Sequence, residues 1–287
     1  MITHWAVPLA GIDPSRVSLT HLHAVASGLA DQQHWASPKP WAARPPRFLD
    51  GLPVLEITTL TTDSADQLRT CVAPGTAIRF GSQHGTALAA PHPLTATTWT
   101  DLHRQTPTEP SWTVRFRTPA TFGNGNRFSP WPDPAAVARS LTTRWNTFNP
   151  DPTQHFDEDP RLWRRIWVSD VEGHTELLPL PGLTVPGFLG RIRYHCDDPV
   201  VASTLHRLLL FAELAGLGRY TTRGLGIITL DSGAGRNPVV SGPQKLPRSV
   251  QRVDQRKQRN SDVSGSPAES AGGRSVQWRN NGAGRRG

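Results

Sequence analysis

One segment constrains the fold of this chain more than any other. Residues 215–230 read AGLGRYTTRGLGIITL, so that four glycines enclose a basic, hydroxyl-rich loop. A helical run of leucines (LHRLLLFAEL) precedes the loop, and a β-prone run (GIITL) follows it. Nucleotide-binding glycine loops run in the opposite order, from strand to helix, and the segment lacks both the GxGxxG spacing and a GK[ST] motif. The loop is therefore predicted to hold the backbone of a nucleic acid.

Positive charge is concentrated in the last fifth of the chain. The 287 residues contain 31 Lys and Arg against 23 Asp and Glu, a formal net charge of +8. Residues 231–287 hold 11 basic and 4 acidic side chains, or +7, which leaves 20 against 19, or +1, for residues 1–230. A polyanion site on the body must then be a local cluster of arginines, and the tail would supply nonspecific, salt-sensitive affinity.

Several classes of protein are excluded by what the chain lacks. Its two cysteines, Cys71 and Cys196, are far apart and form no CxxC motif, so that neither a disulfide scaffold nor a cysteine metal site is expected. No apolar run approaches the length of a membrane helix, and the first residues do not resemble a signal peptide. We therefore expect a cytoplasmic protein with no membrane partner, no metal and no cofactor.

The second half of the chain has the element order of a ferredoxin-like domain. The alternating segment SWTVRFRTPATF predicts a strand, and Asp133 followed by Pro134 predicts the start of a helix. The remaining elements are predicted as strands at 161–170 and 187–195, a helix at 200–214 and a strand at 224–230. The order βαββαβ is the ferredoxin-like signature.

The first half begins in the same way, with the strand ITHWAVPL and a helix. The segment SPKPWAARPP (37–46) is predicted to be irregular because prolines interrupt both helices and sheets. A strand at 52–60, a short helix at 64–70 and a strand at 76–81 follow. The fold class is thus α+β, with tandem ferredoxin-like domains at 1–110 and 111–231, and the polar composition of residues 232–287 predicts a disordered basic tail.

Three strings of the second half resemble a known family. They are TPATFGNGNRFSPWPDPAAVARSLTTRWNTF, then PGFLGRIRYHC, then LLLFAELAGLGRYTTRGLGIITL. In this order they resemble the C-terminal half of the CRISPR-associated endoribonucleases that cut precursor CRISPR RNA within its repeats (the Cas-six family of repeat-associated RNA-binding proteins). The first half is similar more weakly, through a helix ending near His34 and the KPW at 39–41.

The resemblance implies an enzyme that cleaves RNA without a metal. The ribose 2′-hydroxyl attacks the adjacent phosphate, which leaves a 2′,3′-cyclic phosphate and a 5′-hydroxyl end. By its position His34 corresponds to the catalytic histidine of the family, and Lys39 would stabilise the charge on the phosphorane. Many members add a tyrosine, but the tyrosines here are Tyr194 and Tyr220, both in the second half.

Several other groups are candidates for the site. A backbone amide, Arg44, Arg47 or Tyr220 is an alternative to the missing tyrosine. His21 and His23 are rival histidines, but they point about 200° apart on a helix, which makes a joint metal site improbable. Trp35 and Trp41 flank the candidate site and are candidates for stacking on bases.

Residues of the second half are predicted to bind the RNA backbone. The glycine loop contributes close backbone approach and phosphate donors, and neighbouring arginines contribute a basic surface. The predicted set is Gly216, Gly218, Arg219, Thr221, Thr222, Arg223, Gly224, Gly226, Arg115, Arg117, Arg127, Arg144 and Arg193.

The resemblance implies precursor and mature CRISPR repeat RNA as partners, together with other subunits of a CRISPR effector complex. The alternative function is a non-catalytic RNA-binding subunit of a guide-RNA complex. A metabolic enzyme on an α+β scaffold is a further alternative, which the absence of GxSxG and HExxH motifs does not favour.

Overall fold

The computed structural model describes residues 1–31, 37–231 and 246 of the chain. Each half forms an antiparallel sheet packed against helices. The elements of the first half are β1 Ile2–Ala10, α1 Leu19–Ala30, β2 Trp41–Leu49, β3 Leu52–Thr59, α2 Thr62–Cys71, β4 Ala77–Phe80, β5 Gln83–Ala87, β6 His92–Thr97 and α3 Trp99–His103.

The first sheet has the strand order β2-β3-β1-β5-β4, with β6 also paired to β1. Strands β3 and β6 run antiparallel to β1 on its two sides, which gives the ferredoxin-like order β2-β3-β1-β6. The short β4–β5 hairpin is inserted before the last strand of this pattern.

The second half repeats the pattern. Its elements are β7 Ser111–Ala120, β8 Phe122–Asn124, β9 Arg127–Ser129, α4 Pro134–Phe148, α5 Pro160–Trp163, β10 Trp167–Leu180, β11 Leu183–His195, α6 Pro199–Ala215 and β12 Ile228–Leu230. The sheet order is β10-β11-β7-β12 and every pair is antiparallel. The predicted βαββαβ order and the tandem ferredoxin-like fold are confirmed.

The two long helices of this half begin where the sequence places them. The Asp133 carboxylate accepts hydrogen bonds from the amides of Ala135 and Ala136 and so caps α4. Asp198 caps α6 in the same way, again followed by proline. Trp145 of α4 is fully buried in the core between helix and sheet, as its helical spacing predicts.

Three predicted segments differ from the structure. Residues 41–49 form the strand β2 despite Pro45 and Pro46, because β2 is an edge strand and a bulge between Arg44 and Arg47 spares the two prolines from pairing. The strand predicted at 161–170 is wrong at its start, since residues 160–163 form α5. The last strand begins at Ile228, because the preceding residues turn back onto the glycine loop.

Buried contacts join the two halves. Ile2 and Leu60 of the first half belong to the main core cluster, most of whose members lie in the second half. Beside them, His4 contacts Glu56, which also pairs with Arg47 at 2.6 Å. Arg44, next to Glu56, donates to the backbone oxygen of Glu213 in α6. A polar network therefore runs from the first sheet into the last helix of the second half.

Most of the predicted disordered tail lies outside the described residues, and only Leu246 within it is described. No helix among the described residues is long and apolar enough to cross a membrane.

Candidate nucleic-acid interface and active site

A cleft of about 660 Å³ lies between the two halves of the chain. Its walls come from the segment before β2, the β8–β9 hairpin, one face of α4 and the glycine loop. The residues that line it are Ser37, Pro38, Lys39, Phe122, Gly123, Asn124, Gly125, Ala136, Arg139, Ser140, Thr143, Arg144, Gly218, Arg219, Tyr220, Thr221 and Thr222. Four of these side chains are basic, and no Asp or Glu among the described residues lines the cleft. Its electrostatic character suits an anion.

Lys39 is fixed at the edge of the cleft by an ion pair. Its ammonium Nζ lies 2.7 Å from Oδ2 of Asp31, the residue that caps the C-terminus of α1. The lysine side chain is 18% exposed, whereas the carboxylate is buried. This pair joins the two ends of the segment that contains His34, which itself lies outside the described residues.

The glycine loop folds tightly onto the end of β7. The Leu217 amide donates to the Gly226 carbonyl at 2.8 Å, and the Gly226 amide donates to Pro119 at 2.9 Å. Gly226 has a φ of +67°, and a Cβ there would overlap the Leu217 carbonyl. Only glycine fits this position, which explains one member of the motif by packing and not by ligand contact.

Part of the loop backbone is left for a ligand. The amides of Leu217, Arg223, Gly224 and Leu225 donate to carbonyls within the loop, and those of Arg219 and Gly226 donate to the carbonyls of Thr121 and Pro119. Within the described part of the chain, no hydrogen bond uses the amides of Gly218, Tyr220, Thr221 or Thr222, all of which line the cleft. Successive unpaired amides of this kind form anion-binding concavities.

Arg144, one of the residues predicted to bind the RNA backbone, is buried in the wall of the cleft. One terminal nitrogen, Nη1, donates to the Ala215 carbonyl at 2.6 Å and to the Thr221 hydroxyl at 2.8 Å. The other, Nη2, donates to the Trp41 carbonyl at 2.9 Å. It thus ties α4 to the glycine loop and to the start of β2.

The charge of Arg144 has no carboxylate partner among the described residues. Burial lowers the pKa of its guanidinium to about 10, which still leaves it cationic at neutral pH. Its neighbours are neutral oxygens, and its Nε has no hydrogen-bond partner in the described structure. A buried cation without a counter-ion at the wall of a cleft favours an anionic ligand there.

The β8–β9 hairpin forms the opposite wall. It carries the GNGN sequence as a tight turn, and the side chain of Phe128 faces the loop. The Arg219 guanidinium lies 5.9 Å from the Phe128 ring centroid, and the Tyr220 ring lies 5.8 Å from it. These contacts hold Arg219 and Tyr220 at the cleft.

The rival histidine His23 supports the loop from the first half. Its Nδ1 lies 3.3 Å from the Thr222 carbonyl, and its ring stacks on Trp41 at 5.7 Å. Burial and then the charge of Arg223 hold the pKa of His23 below its usual value. Trp41 is fully buried, so the prediction that it stacks on bases was wrong. Trp35 lies outside the described residues.

The other predicted loop residues pack against neighbouring parts of the chain and do not line the cleft. Gly216 packs against Thr221, and a Cβ on Gly224 would lie 2.8 Å from Leu22 of α1. Arg223 is half-buried beside His23. These residues bind the loop to the two halves and do not line the cleft.

Four predicted arginines lie away from the cleft. Arg115, Arg117 and Arg193 are on the open face of the second sheet, where Arg115 pairs with Asp231 at 3.3 Å and the Arg193 Nε lies 3.3 Å from the Thr113 hydroxyl. Arg127 is exposed at the start of β9. The predicted basic surface is thus divided between two places on the molecule.

Ser140 and Thr143, two residues that line the cleft, were not identified from the sequence. Arg139, Ser140 and Thr143 lie on one side of α4, opposite the buried Val137 and Leu141. Their spacing of three to four residues would have identified a polar face beside the glycine loop. Arg44 and Arg47, two of the alternatives to the missing tyrosine, pair with Glu56 and do not line the cleft, whereas Tyr220 does.

In the described part of the chain, no group of three or more His, Cys, Asp and Glu side chains is arranged to hold a metal ion.

Comparison with known proteins agrees with this architecture. Residues 114–228 match the family model of the CRISPR-associated endoribonuclease Cas6. A solved Cas6 product complex is 24% identical with a TM-score of 0.68, and the match covers 80% of this chain and 99% of that chain. A second Cas6 product complex is 25% identical with a TM-score of 0.63 and the same coverage.

Cas6 of Thermus thermophilus is also 25% identical, with a TM-score of 0.59, over 80% of this chain and 98% of its own. No curated protein sequence matches the chain with significance. The chain is thus similar to the Cas6 endoribonucleases in sequence over residues 114–228 and in fold over both halves.

Proposed function

We propose that the protein cleaves precursor CRISPR RNA within its repeats, in a metal-independent reaction at the cleft between its two halves. The similarity to the Cas6 endoribonucleases supports RNA cleavage and repeat RNA as the substrate. The observation that carries the proposal is the cleft itself, where Lys39 of the first half faces the glycine loop of the second half. A basic cleft with unpaired backbone amides suits a phosphodiester.

In the proposed reaction the RNA supplies its own nucleophile. The ribose 2′-hydroxyl attacks the adjacent phosphorus, the 5′-oxygen leaves, and the products are a 2′,3′-cyclic phosphate and a 5′-hydroxyl end. One proton leaves the attacking oxygen and one is given to the leaving oxygen. The protein therefore has to align the backbone, transfer these protons and stabilise the negative charge on phosphorus.

We assign the proton transfer to His34. The Asp31–Lys39 ion pair fixes both ends of its segment, and residues 37–39 already line the cleft. An imidazole titrates near neutral pH, so it can act as the base for the 2′-hydroxyl or as the acid for the leaving oxygen.

We assign the stabilisation of the negative charge on phosphorus to Lys39 and to the glycine loop. The ammonium of Lys39 is oriented by Asp31, and the amides of Tyr220, Thr221 and Thr222 are candidates for hydrogen bonds to phosphate oxygens. Arg144 adds a fixed positive charge behind the loop. In many Cas6 endoribonucleases a tyrosine of the first half accompanies the catalytic histidine. The hydroxyl of Tyr220 is the candidate for that role here.

The test of this chemistry uses a labelled repeat RNA and the full chain in excess EDTA. We expect one cut per repeat, a 2′,3′-cyclic phosphate on the upstream product, and no cut when the scissile nucleotide carries a 2′-deoxy sugar. Cleavage of the 2′-deoxy RNA, or loss of cleavage in EDTA, would refute the proposed reaction. Tight binding of the all-ribose RNA without any cleavage would instead assign the protein as a non-catalytic RNA-binding subunit.

A further inference from the structure

The helices α1 and α2 of the first half pack against one face of the first sheet. Along β1, Trp5, Val7 and Leu9 pack with α1 and α2, whereas Ala6 points to the opposite face. The second half covers one end of that outer face, through Ile2 and the contact from Arg44 to Glu213. The other end carries apolar side chains that need a different cover.

Those side chains form a small buried cluster near the β2–β3 turn. Its members from the sheet and the following loop are Ala6, Leu49, Leu52, Val54 and Leu88. The sixth member is Leu246, which comes from the polar tail and is only 3% exposed. Within residues 231–287 it is the single leucine.

A polar contact fixes the same residue. The backbone amide of Leu246 donates to Oδ2 of Asp50 at 2.8 Å. Asp50 has a φ of 51° and is followed by Gly51 with a φ of +83°, the geometry of a tight turn between β2 and β3. The turn thus presents a carboxylate beside an apolar surface, and the tail residue uses both.

We propose that the outer face of the first sheet is a docking site for the chain's own C-terminal segment, with Leu246 as its anchor. Residues 232–245 connect this site to the end of the second sheet, and a chain of that length reaches up to about 50 Å when extended. Because the segment is covalently attached, its effective concentration at the site is in the millimolar range, which favours the same chain over a second copy.

The inference is independent of the proposed RNA chemistry, since it depends on none of the cleft residues.

Hydrogen–deuterium exchange of the full chain tests the docking. In a Leu246→Asp variant we expect the amides of residues 49–54 to exchange at least about tenfold faster, because the anchor can no longer be buried. Leu246→Ala should give a smaller increase of the same kind. Val253→Asp, which places the same charge elsewhere in the tail, is the matched control and should leave these amides unchanged. Amides of β7 and β11 report that each variant is folded.

Unchanged exchange at residues 49–54 in both Leu246 variants would overturn the proposal. An equal increase in the Val253→Asp control would overturn it as well, since the effect would then be one of tail charge. Size-exclusion chromatography distinguishes docking within one chain from docking between two copies of the chain. If the wild type is a dimer and Leu246→Asp is a monomer, the occupant is a second copy and docking within one chain is refuted.

Discussion

At the scale of single residues, Arg144 shows how the cleft is built. Its buried guanidinium donates to three oxygens from two other parts of the chain. Its spacing of seven from Val137 and three from Leu141 places it on the buried stripe of α4, a signal that was present in the sequence. Arg144 positions the glycine loop, and its positive charge lies at the wall of the cleft.

Replacing Arg144 by Met should lower the free energy of unfolding by ~2 kcal/mol or more, because the Thr221 hydroxyl and two carbonyls lose their donor. Urea unfolding measures this. Arg139→Met is the matched control on the same helix. It is exposed in the cleft, so it should leave stability within ~0.5 kcal/mol and weaken RNA binding. Equal stability of the two variants would contradict the positioning role.

At the scale of elements, the glycine loop contacts both halves of the chain and connects them. Its own backbone closes it onto Pro119 and Thr121 at the end of β7, and His23 and Leu22 of α1 contact its other side. Packing requires glycine at positions 218, 224 and 226, since a Cβ on Gly218 would lie 2.5 Å from the Thr121 carbonyl oxygen. Gly218 also lines the cleft.

Gly226→Ala should disrupt the loop, because the new Cβ would overlap the Leu217 carbonyl. We expect a loss of more than ~3 kcal/mol in the free energy of unfolding, or a folded protein with much weaker RNA affinity. Gly75→Ala is the control, since Gly75 also has a positive φ of +88° but has nothing within 4 Å of the added carbon. It should cost about 1–2 kcal/mol from backbone strain alone. A Gly226→Ala protein no less stable than the control would contradict this view of the loop.

At the scale of the whole molecule, buried histidines link stability to pH. Burial and then the charge of Arg44 lower the pKa of His4, and burial and then Arg223 lower that of His23. Each imidazole binds its proton less readily in the folded state than in the unfolded state. The free energy of unfolding should therefore be constant above about pH 6.5 and should fall as the pH drops below it.

His4→Gln tests this linkage, because glutamine keeps an N–H donor for Glu56 and does not titrate. We expect stability to fall less steeply between about pH 6.5 and 5.5 in this variant than in the wild type, by up to ~1.4 kcal/mol per pH unit. Urea unfolding at several pH values gives the slopes. His84→Gln alters an exposed histidine and should retain the wild-type slope. A wild-type slope in His4→Gln would show that His4 is not responsible.

Much of the architecture could be predicted from local signals. The capping residue Asp133, the apolar pattern of α6 and the alternation in β7 indicated the element order of the second half, since these signals act over a few residues. The strand β2 could not be predicted, because two prolines are tolerated only at a sheet edge with a bulge. The burial of Trp41 and the hydrogen-bond partners of Arg144 depend on contacts between the halves, and no local pattern contains that information.

The role of His34 is the central claim, and the single-turnover cleavage rate of His34→Ala on repeat RNA tests it most directly. RNA affinity and the His84→Ala variant serve as controls. Loss of the proton-transfer group should slow cleavage by about 100-fold or more, with an affinity within about threefold of the wild type and full activity in His84→Ala. Cleavage by His34→Ala at the wild-type rate would contradict the account.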